Sequence, residues 1–458
     1  MYPNRRSSSS APANAASLPT LSLVCSVGLL LAVAALAGTV GADARWLAAL
    51  GHLITTRHAI PAGVPFAPEA SVHWPNVPVL AELVFNRLER LMGDRGLMLA
   101  QLLAVAVALG VLIRDSISSG AEKVGTSRAL LVAGLGIMPA LAIARSQLFS
   151  LALFPLLCWL LRAEGRDPSR RIWLVVPLVA LWSNLHGAVL VGLVLLLVYL
   201  VLVRVRTQPV VAVLVALASL AAVCATPALL QTVAYYHHVL TNQAAASGQG
   251  MWGALSLSSP LDVLFVLCAL TLIVQFVRGR PELWERVGAA GLAAITLVAA
   301  RNGVWLALFL APVAARSFAP RRQWPALIVP LSALSMALLV FAVARGPVLR
   351  GAGAPLLARA ILLAHGSPVL ASAPIAEQVA LDGGHIVAGN PIDAFPARTQ
   401  QAYLEWLAGR PTALRHLDPG VRVVLVPRRS VVQRLMAATA GFSVAGQDPQ
   451  VLLYERRG

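Results

Sequence analysis

Charge is scarce in this sequence. Only 12% of its 458 residues are Asp, Glu, Lys or Arg, about half the share found in soluble domains. A single water-soluble globule cannot clothe its surface with so little. A disordered chain is excluded as well, because 58% of the residues are hydrophobic and the mean hydropathy is +0.76. Lysine is nearly missing, Lys123 being the one lysine among 36 basic residues. The arginines are spread thinly and form no block. The net charge of +17 therefore marks no phosphate-tracking face, and nucleic acid is not an expected partner. Cysteine is rare too. Cys25, Cys158, Cys224 and Cys268 each sit in an apolar run without CxxC or metal-ligand spacing, which argues against a disulfide framework or a zinc site. The lack of a GxGxxG or P-loop pattern disfavours a soluble oxidoreductase or nucleotide enzyme.

What is present is a succession of apolar runs. A membrane span needs roughly 20 apolar residues. The sequence predicts eleven spans, at about 20–41, 96–113, 129–144, 147–161, 172–186, 187–203, 208–226, 259–277, 287–300, 303–318 and 324–344, although 129–161 also reads as one bent pair. Residues 1–19 are polar and of low complexity and predict a disordered cytoplasmic tail. The run after them has the length of a signal peptide, but only a weak cleavage site follows it, so a retained anchor is expected.

Basic residues orient such a chain. With the N-terminus in the cytoplasm, the inner segments hold Arg5, Arg6, Arg114, Lys123, Arg128, Arg162, Arg166, Arg170, Arg171, Arg204, Arg206, Arg278, Arg280, Arg286, Arg316, Arg321 and Arg322. The outer side holds Arg45, Arg57, Arg87, Arg90, Arg95, Arg145 and Arg301, and the loop 227–258 has no formal charge. The bias of 17 to 7 predicts a multi-pass protein of the bacterial plasma membrane with a cytoplasmic N-terminus and an external C-terminus.

Beyond residue 345 the character changes. Residues 368–372, 385–389, 421–427 and 451–457 read as strands, and 374–381, 397–408 and 430–439 as helices, punctuated by Gly383–Gly384 and Pro419–Gly420. The expected fold is thus mainly α: a polytopic helical membrane bundle over 20–345, with a first outer loop at 42–95, followed by a small extracytoplasmic α/β domain at 346–458.

Polar residues that interrupt the apolar runs fall near one face of this layout. Asp43 and Trp46 follow the first span, Arg145 and Gln147 lie between the third and fourth, and Asn184 and His186 between the fifth and sixth. Tyr235, Tyr236, His237 and His238 lie in the long loop, Asp262 opens the eighth span, and Arg301 and Asn302 lie between the ninth and tenth. Each also has a structural reading. Asp43 can cap a helix, the arginines can snorkel to headgroups, Asn184 and His186 can bond between helices, and the Tyr/His run can form an aromatic belt. Polar groups at membrane depth are costly, however, and their coincidence on one face points to a site.

Several short motifs carry a resemblance. Segment 43–66 contains Asp43, Trp46, Gly51, Ile60–Pro61 and Pro65–Phe66. RSQLFS at 145–150, NLHG at 184–187, SPLD at 259–262 and ARNGVW at 300–305 follow in order. Over roughly 40–318 this order resembles bacterial polytopic proteins of the GT-C superfamily of membrane glycosyltransferases, and the C-terminal segment resembles theirs. The resemblance implies inverting transfer of a sugar from a polyprenyl-phosphate donor at the outer leaflet to an envelope glycan, lipid or protein acceptor. On it, Asp43 is the catalytic carboxylate, which acts as base toward the acceptor, orients it or holds a metal. Arg145 and Arg301 hold the donor phosphate, with His186 donating to the leaving phosphate and Gln147, Asn184, Asn302, Asp262 and Trp46 in support. The group often reads W-x-D-H-E-W later in the first loop. Here the chain reads Trp74, Pro75, Asn76, Val77 and Pro78, with Glu69 and Glu82 as unmatched neighbours. With one matched acid, no cofactor is expected and a divalent metal has no support.

A second class stays open at this point: a non-catalytic membrane scaffold or transporter whose outer domain binds a partner. Transporters carry polar groups near the bilayer midplane, and these runs have almost none. A scaffold has no need of Arg and His at tight turns.

Overall fold

The structure, a computed structural model, describes residues 18–70, 73–248, 252–318, 325–348, 351–415, 417 and 420–457. Almost all of the expected tail 1–19 lies outside these, as do Arg5, Arg6, Arg321, Arg322 and Pro419.

Each predicted span coincides with helix. They are α1 (Leu18–Leu36), α4 (Asp94–Ser118), α5 (Lys123–Gly136) with α6 (Met138–Ala142), α7 (Gln147–Arg166), α8 (Val175–Ser183), α9 (Val189–Leu202), α10 (Pro209–Val223), α13 (Pro260–Arg278), α14 (Leu283–Val298), α15 (Gly303–Ala314) and α16 (Pro325–Arg345). Between them lie α2 (Ala42–Arg57) and α3 (Val79–Met92) after the first span, and α11 (Gln231–Thr241) and α12 (Gln243–Ala246) before α13. The third span breaks where Pro139 restarts a short helix after Gly136, because proline removes a helical N–H donor. Five of the described helices are long and apolar enough to cross a membrane by themselves. The shorter ones depend on neighbours. All twelve residues of α15 are buried, which makes it the axis of the bundle. Its N-terminus needs glycine: a Cβ on Gly303 would come within 2.4 Å of the Phe265 ring on α13.

The C-terminal part holds α17 (Ala354–Ala364), β3 (Leu370–Ala371), α18 (Ile375–Leu381), α19 (Ala397–Leu407), β4 (Val423–Pro427), α20 (Val431–Ala438), β5 (Phe442–Gln447) and β6 (Val451–Arg456). The sheet order is β3-β4-β6-β5. β3 and β4 run parallel; β6 is antiparallel to both β4 and β5. The central β4 is an unbroken buried VVLV run, as expected of a strand covered on both faces. The expected strand at 385–389 makes only one bridge, Ile386 to Val369, and on its other edge the Ile386 N–H donates to the Phe66 carbonyl at 2.9 Å.

That bond belongs to a wider union. Leu47, Leu50, Phe66, Trp74 and Phe85 of the first loop share one hydrophobic core with Ile375, Trp406, Val424 and Leu453. The Trp74 indole N–H also donates to Asp393 Oδ2 at 2.7 Å. Within the loop, α2 and α3 approach so closely at Gly51 that a Cβ there would lie 2.1 Å from the Glu82 carbonyl. The bundle has its own separate core around Phe154, Trp182, Tyr199 and Phe309. All four cysteines carry free thiols.

Candidate functional site

A two-residue clip builds the site. β1 (Thr39–Val40) and β2 (Ile143–Ala144) pair in parallel, Thr39 opposite Ile143 and Val40 opposite Ala144. The Gly41 N–H continues the ladder to the Ala144 carbonyl at 2.8 Å. The chain leaves each strand straight into a helix, so the first turn of α2 and the start of α7 lie side by side. Arg145 Nε then sits 3.3 Å from Asp43 Oδ2, the two side chains 14% and 20% exposed. Gly41 is the N-cap of α2 and no side chain caps it. The Asp43 carboxylate is thus engaged with Arg145, and the capping reading of Asp43 fails.

Two cavities flank this pair. One, of about 410 Å³, is lined by Arg145, Gln147, Asp262 and Arg301, with apolar walls from Ile137, Ile143, Leu255, Phe265 and Val304. The other, of about 380 Å³, is lined by Asp43, Arg145 and Thr39 on one side and by Ala373, Pro374 and Asn390 of the C-terminal part on the other. Arg145 and Ile143 belong to both. Arg301 lies over the Trp252 ring, 4.6 Å from its centroid, a cation–π contact that fixes the guanidinium plane. Burial, and then the neighbouring Arg145, lower its pKa to about 10, with Asp43 opposing. It keeps its charge at neutral pH.

His186 lies in the turn between α8 and α9, outside both helices. Its Nδ1 is 2.7 Å from Ser150 Oγ and accepts the Ala188 N–H at 3.3 Å. Ser150 Oγ itself accepts the Trp182 indole N–H at 2.6 Å, so the hydroxyl proton points to the imidazole. The ring proton is left on Nε2. Burial first, then Arg145 and Arg301, push the histidine down to about 3. It is a neutral N–H donor within electrostatic reach of both arginines.

Of the other residues singled out in the sequence, Gln147 and Asp262 line the larger cavity with the arginines. Asp262 Oδ2 also accepts the Ser256 N–H at 3.0 Å. Three stand apart. Asn184 donates to the carbonyls of Ala180 and Ala225 at 2.8 and 2.7 Å, tying α8 to the end of α10. Asn302 donates to the Ile295 carbonyl at 3.0 Å and closes α14. Trp46 is buried and meets Trp74 edge-on at 6.3 Å. In the Tyr/His run, Tyr236 is buried and Tyr235 packs on Trp74 at 5.7 Å, whereas His237 and His238 are exposed.

Sequence reading missed three contributors. Trp252 lies in the uncharged loop 227–258 and signals nothing until Arg301 is placed on it. Asn390 and Glu377 lie in the C-terminal part, where no motif drew attention to them. Asn390 donates its backbone and side-chain N–H groups to Glu377 Oε1 at 2.9 and 2.8 Å. Desolvation raises the pKa of this fully buried carboxyl. The departure at Asn76 also has a structural counterpart: its amide donates to Glu82 Oε2 at 2.9 Å. Burial raises Glu82 to about 8, so it is protonated at neutral pH.

No family model matches the chain, and no curated protein matches it. Among solved structures it is similar to ArnT from Cupriavidus metallidurans bound to undecaprenyl phosphate, with a TM-score of 0.53 at 13% identity, covering 96% of this chain and 98% of that one. The apo state of the same protein gives 0.49 at 13% identity over the same shares. The arabinofuranosyltransferase AftD from Mycobacteria gives 0.45 at 14% identity, covering 96% of this chain and 41% of that one. The likeness to the first of these is one of fold. The chain shares that fold, a helical bundle with strands toward its C-terminus, and its apolar helices are those of a multi-pass membrane protein.

Proposed function

We propose that the chain is an inverting membrane glycosyltransferase. It takes a sugar from a polyprenyl-phosphate donor at the outer face of the bacterial plasma membrane and passes it to a hydroxyl of an envelope glycan, lipid or protein. The observation that carries this reading is the larger cavity, where two arginines and the amide of Gln147 face apolar walls. Guanidinium forks match phosphate oxygens, and apolar walls suit the first units of a prenyl tail. The ArnT structure with undecaprenyl phosphate supports the same class of ligand. The orientation follows from the 17-to-7 basic bias, which sets the site and the C-terminal domain 346–458 outside.

On this reading the acceptor enters the smaller cavity. Its oxygen attacks the anomeric carbon from the face opposite the phosphate. The new C–O bond forms as the bond to phosphate breaks, and that electron pair leaves on the phosphate. The acceptor proton passes to Asp43, which meets the acceptor directly. Arg145 and Arg301 hold the phosphate as its charge grows, His186 donates from Nε2, and Asp262 accepts from a sugar hydroxyl.

The test is lipid binding. The protein in nanodiscs should bind polyprenyl monophosphate, and Arg301→Lys should weaken that binding roughly tenfold, since an ammonium loses both the fork and the planar stack on Trp252. Equal binding by Arg301→Lys and Arg301→Ala variants and by the unchanged protein would remove the donor site from this cavity.

A further inference from the structure

We infer that Arg145 is shared in turn between Asp43 and the donor phosphate, so that filling the donor cavity frees the base. This rests on the donor reading above. Arg145 is the charged side chain common to both cavities, and it reaches Asp43 from the wall between them. While Arg145 stands against Asp43 Oδ2, that oxygen is not open to an acceptor hydroxyl.

The contact is suited to exchange. At 3.3 Å it is longer than the roughly 2.7–2.9 Å of strong charge-assisted pairs. The neighbouring Arg301 is seated on the Trp252 ring, and two like charges lining one cavity repel, which favours Arg145 turned toward Asp43. The donor phosphate, a diester with one negative charge, brings acceptor oxygens between the two guanidiniums, and its charge grows as the sugar leaves. Once bound, it relieves the repulsion and draws the Arg145 fork toward itself. Asp43 then faces the acceptor cavity with its oxygens available for a hydroxyl proton. The consequence is order: donor first, acceptor activated second. An acceptor arriving alone meets a carboxylate already engaged by Arg145.

Linkage makes this measurable without turnover. If Asp43 and the phosphate compete for one guanidinium, removing the Asp43 charge must tighten phosphate binding. The experiment measures polyprenyl monophosphate affinity in nanodiscs for four chains: unchanged, Asp43→Asn, Arg145→Gln, and the double variant, each first checked for an unaltered thermal melt. The expected result is tighter binding by Asp43→Asn, by between about 5-fold and 150-fold, the usual span of coupling between two sites. Arg145→Gln should bind more weakly, and in its background Asp43→Asn should change little. Unchanged or weaker binding by Asp43→Asn overturns the inference and leaves the donor reading intact. Tightening that persists in the Arg145→Gln background also overturns it, since simple repulsion between Asp43 and phosphate needs no shared arginine. Failure of the unchanged chain and of Asp43→Asn to bind the lipid overturns the donor reading and the inference together.

Discussion

Two arginines of the bundle, Arg162 and Arg301, are handled in opposite ways. Arg162 is 4% exposed and saturated. It donates to Asp115 at 2.5 Å, to Glu285 at 2.7 Å and to the Phe309 carbonyl at 2.8 Å, joining α4, α7, α14 and α15. Arg204 nearby faces Glu164 at 3.4 Å and donates to the Ser169 carbonyl at 2.7 Å. At the site, Arg301 feels another cation, Arg145, and one carboxylate, Asp43, beside a cavity. Buried charge with matched partners holds helices together. Buried charge with a like-charged neighbour and open space is a poor structural device, and the same feature suits an anion-binding one.

Asp43→Asn should have the largest effect on this contrast. A general base contributes about 10²–10⁴-fold, so turnover in a transfer assay should fall by that factor. The melting temperature should hardly move, because Gly41 caps α2 without help from Asp43. Full activity would remove Asp43 from the chemistry.

Arg162→Met probes the saturated arginine. It leaves Asp115 and Glu285 buried without their counter-charge, and breaking such a pair costs about 3–5 kcal/mol. Thermal unfolding in detergent should show the loss. Arg301→Met should cost far less stability. Equal destabilisation by the two substitutions would erase the difference between the two arginines.

A pH scan probes the first loop. Burial raises Glu82 from 4.5 to about 8. The folded state therefore holds a proton that the unfolded chain gives up at lower pH. This stabilisation is fully present below about 4.5, declines as pH rises toward 8, and is gone above it. Melting scans across that window should fall in the unchanged protein. Glu82→Gln should flatten the part of the fall that comes from this carboxyl, because a neutral amide takes its place.

The apolar runs were legible because span length and hydropathy are local properties. The helices α18, α19 and α20 were legible from their periodicity and the glycine or proline beside them. β5 escaped notice because it is a partly exposed edge strand with a bulge between Val444 and Gly446. The helices of the first loop were also poorly legible, since the partner that buries Trp46, Leu50 and Phe85 lies some three hundred positions away in the C-terminal part. For the site, charged residues in tight turns stood out, and the structure places Asp43, Arg145, His186 and Arg301 together. Asn184 and Asn302 stood out for the same reason and serve the turns themselves. Arg162 was counted as a topology signal because its acidic partners sit on other helices, and no local pattern shows which helices meet.

The clip of Thr39–Val40 with Ile143–Ala144 is held by main-chain atoms. The spacing of Asp43 from Arg145 therefore depends on the backbone pairing, and side chains at those four positions can vary as long as they fit their buried surroundings and keep the N–H groups of the ladder. Such a joint can be inherited while its letters change. Two proteins can share it with no recognisable word in common, and a search for conserved residues would pass over the element that sets the distance between Asp43 and Arg145.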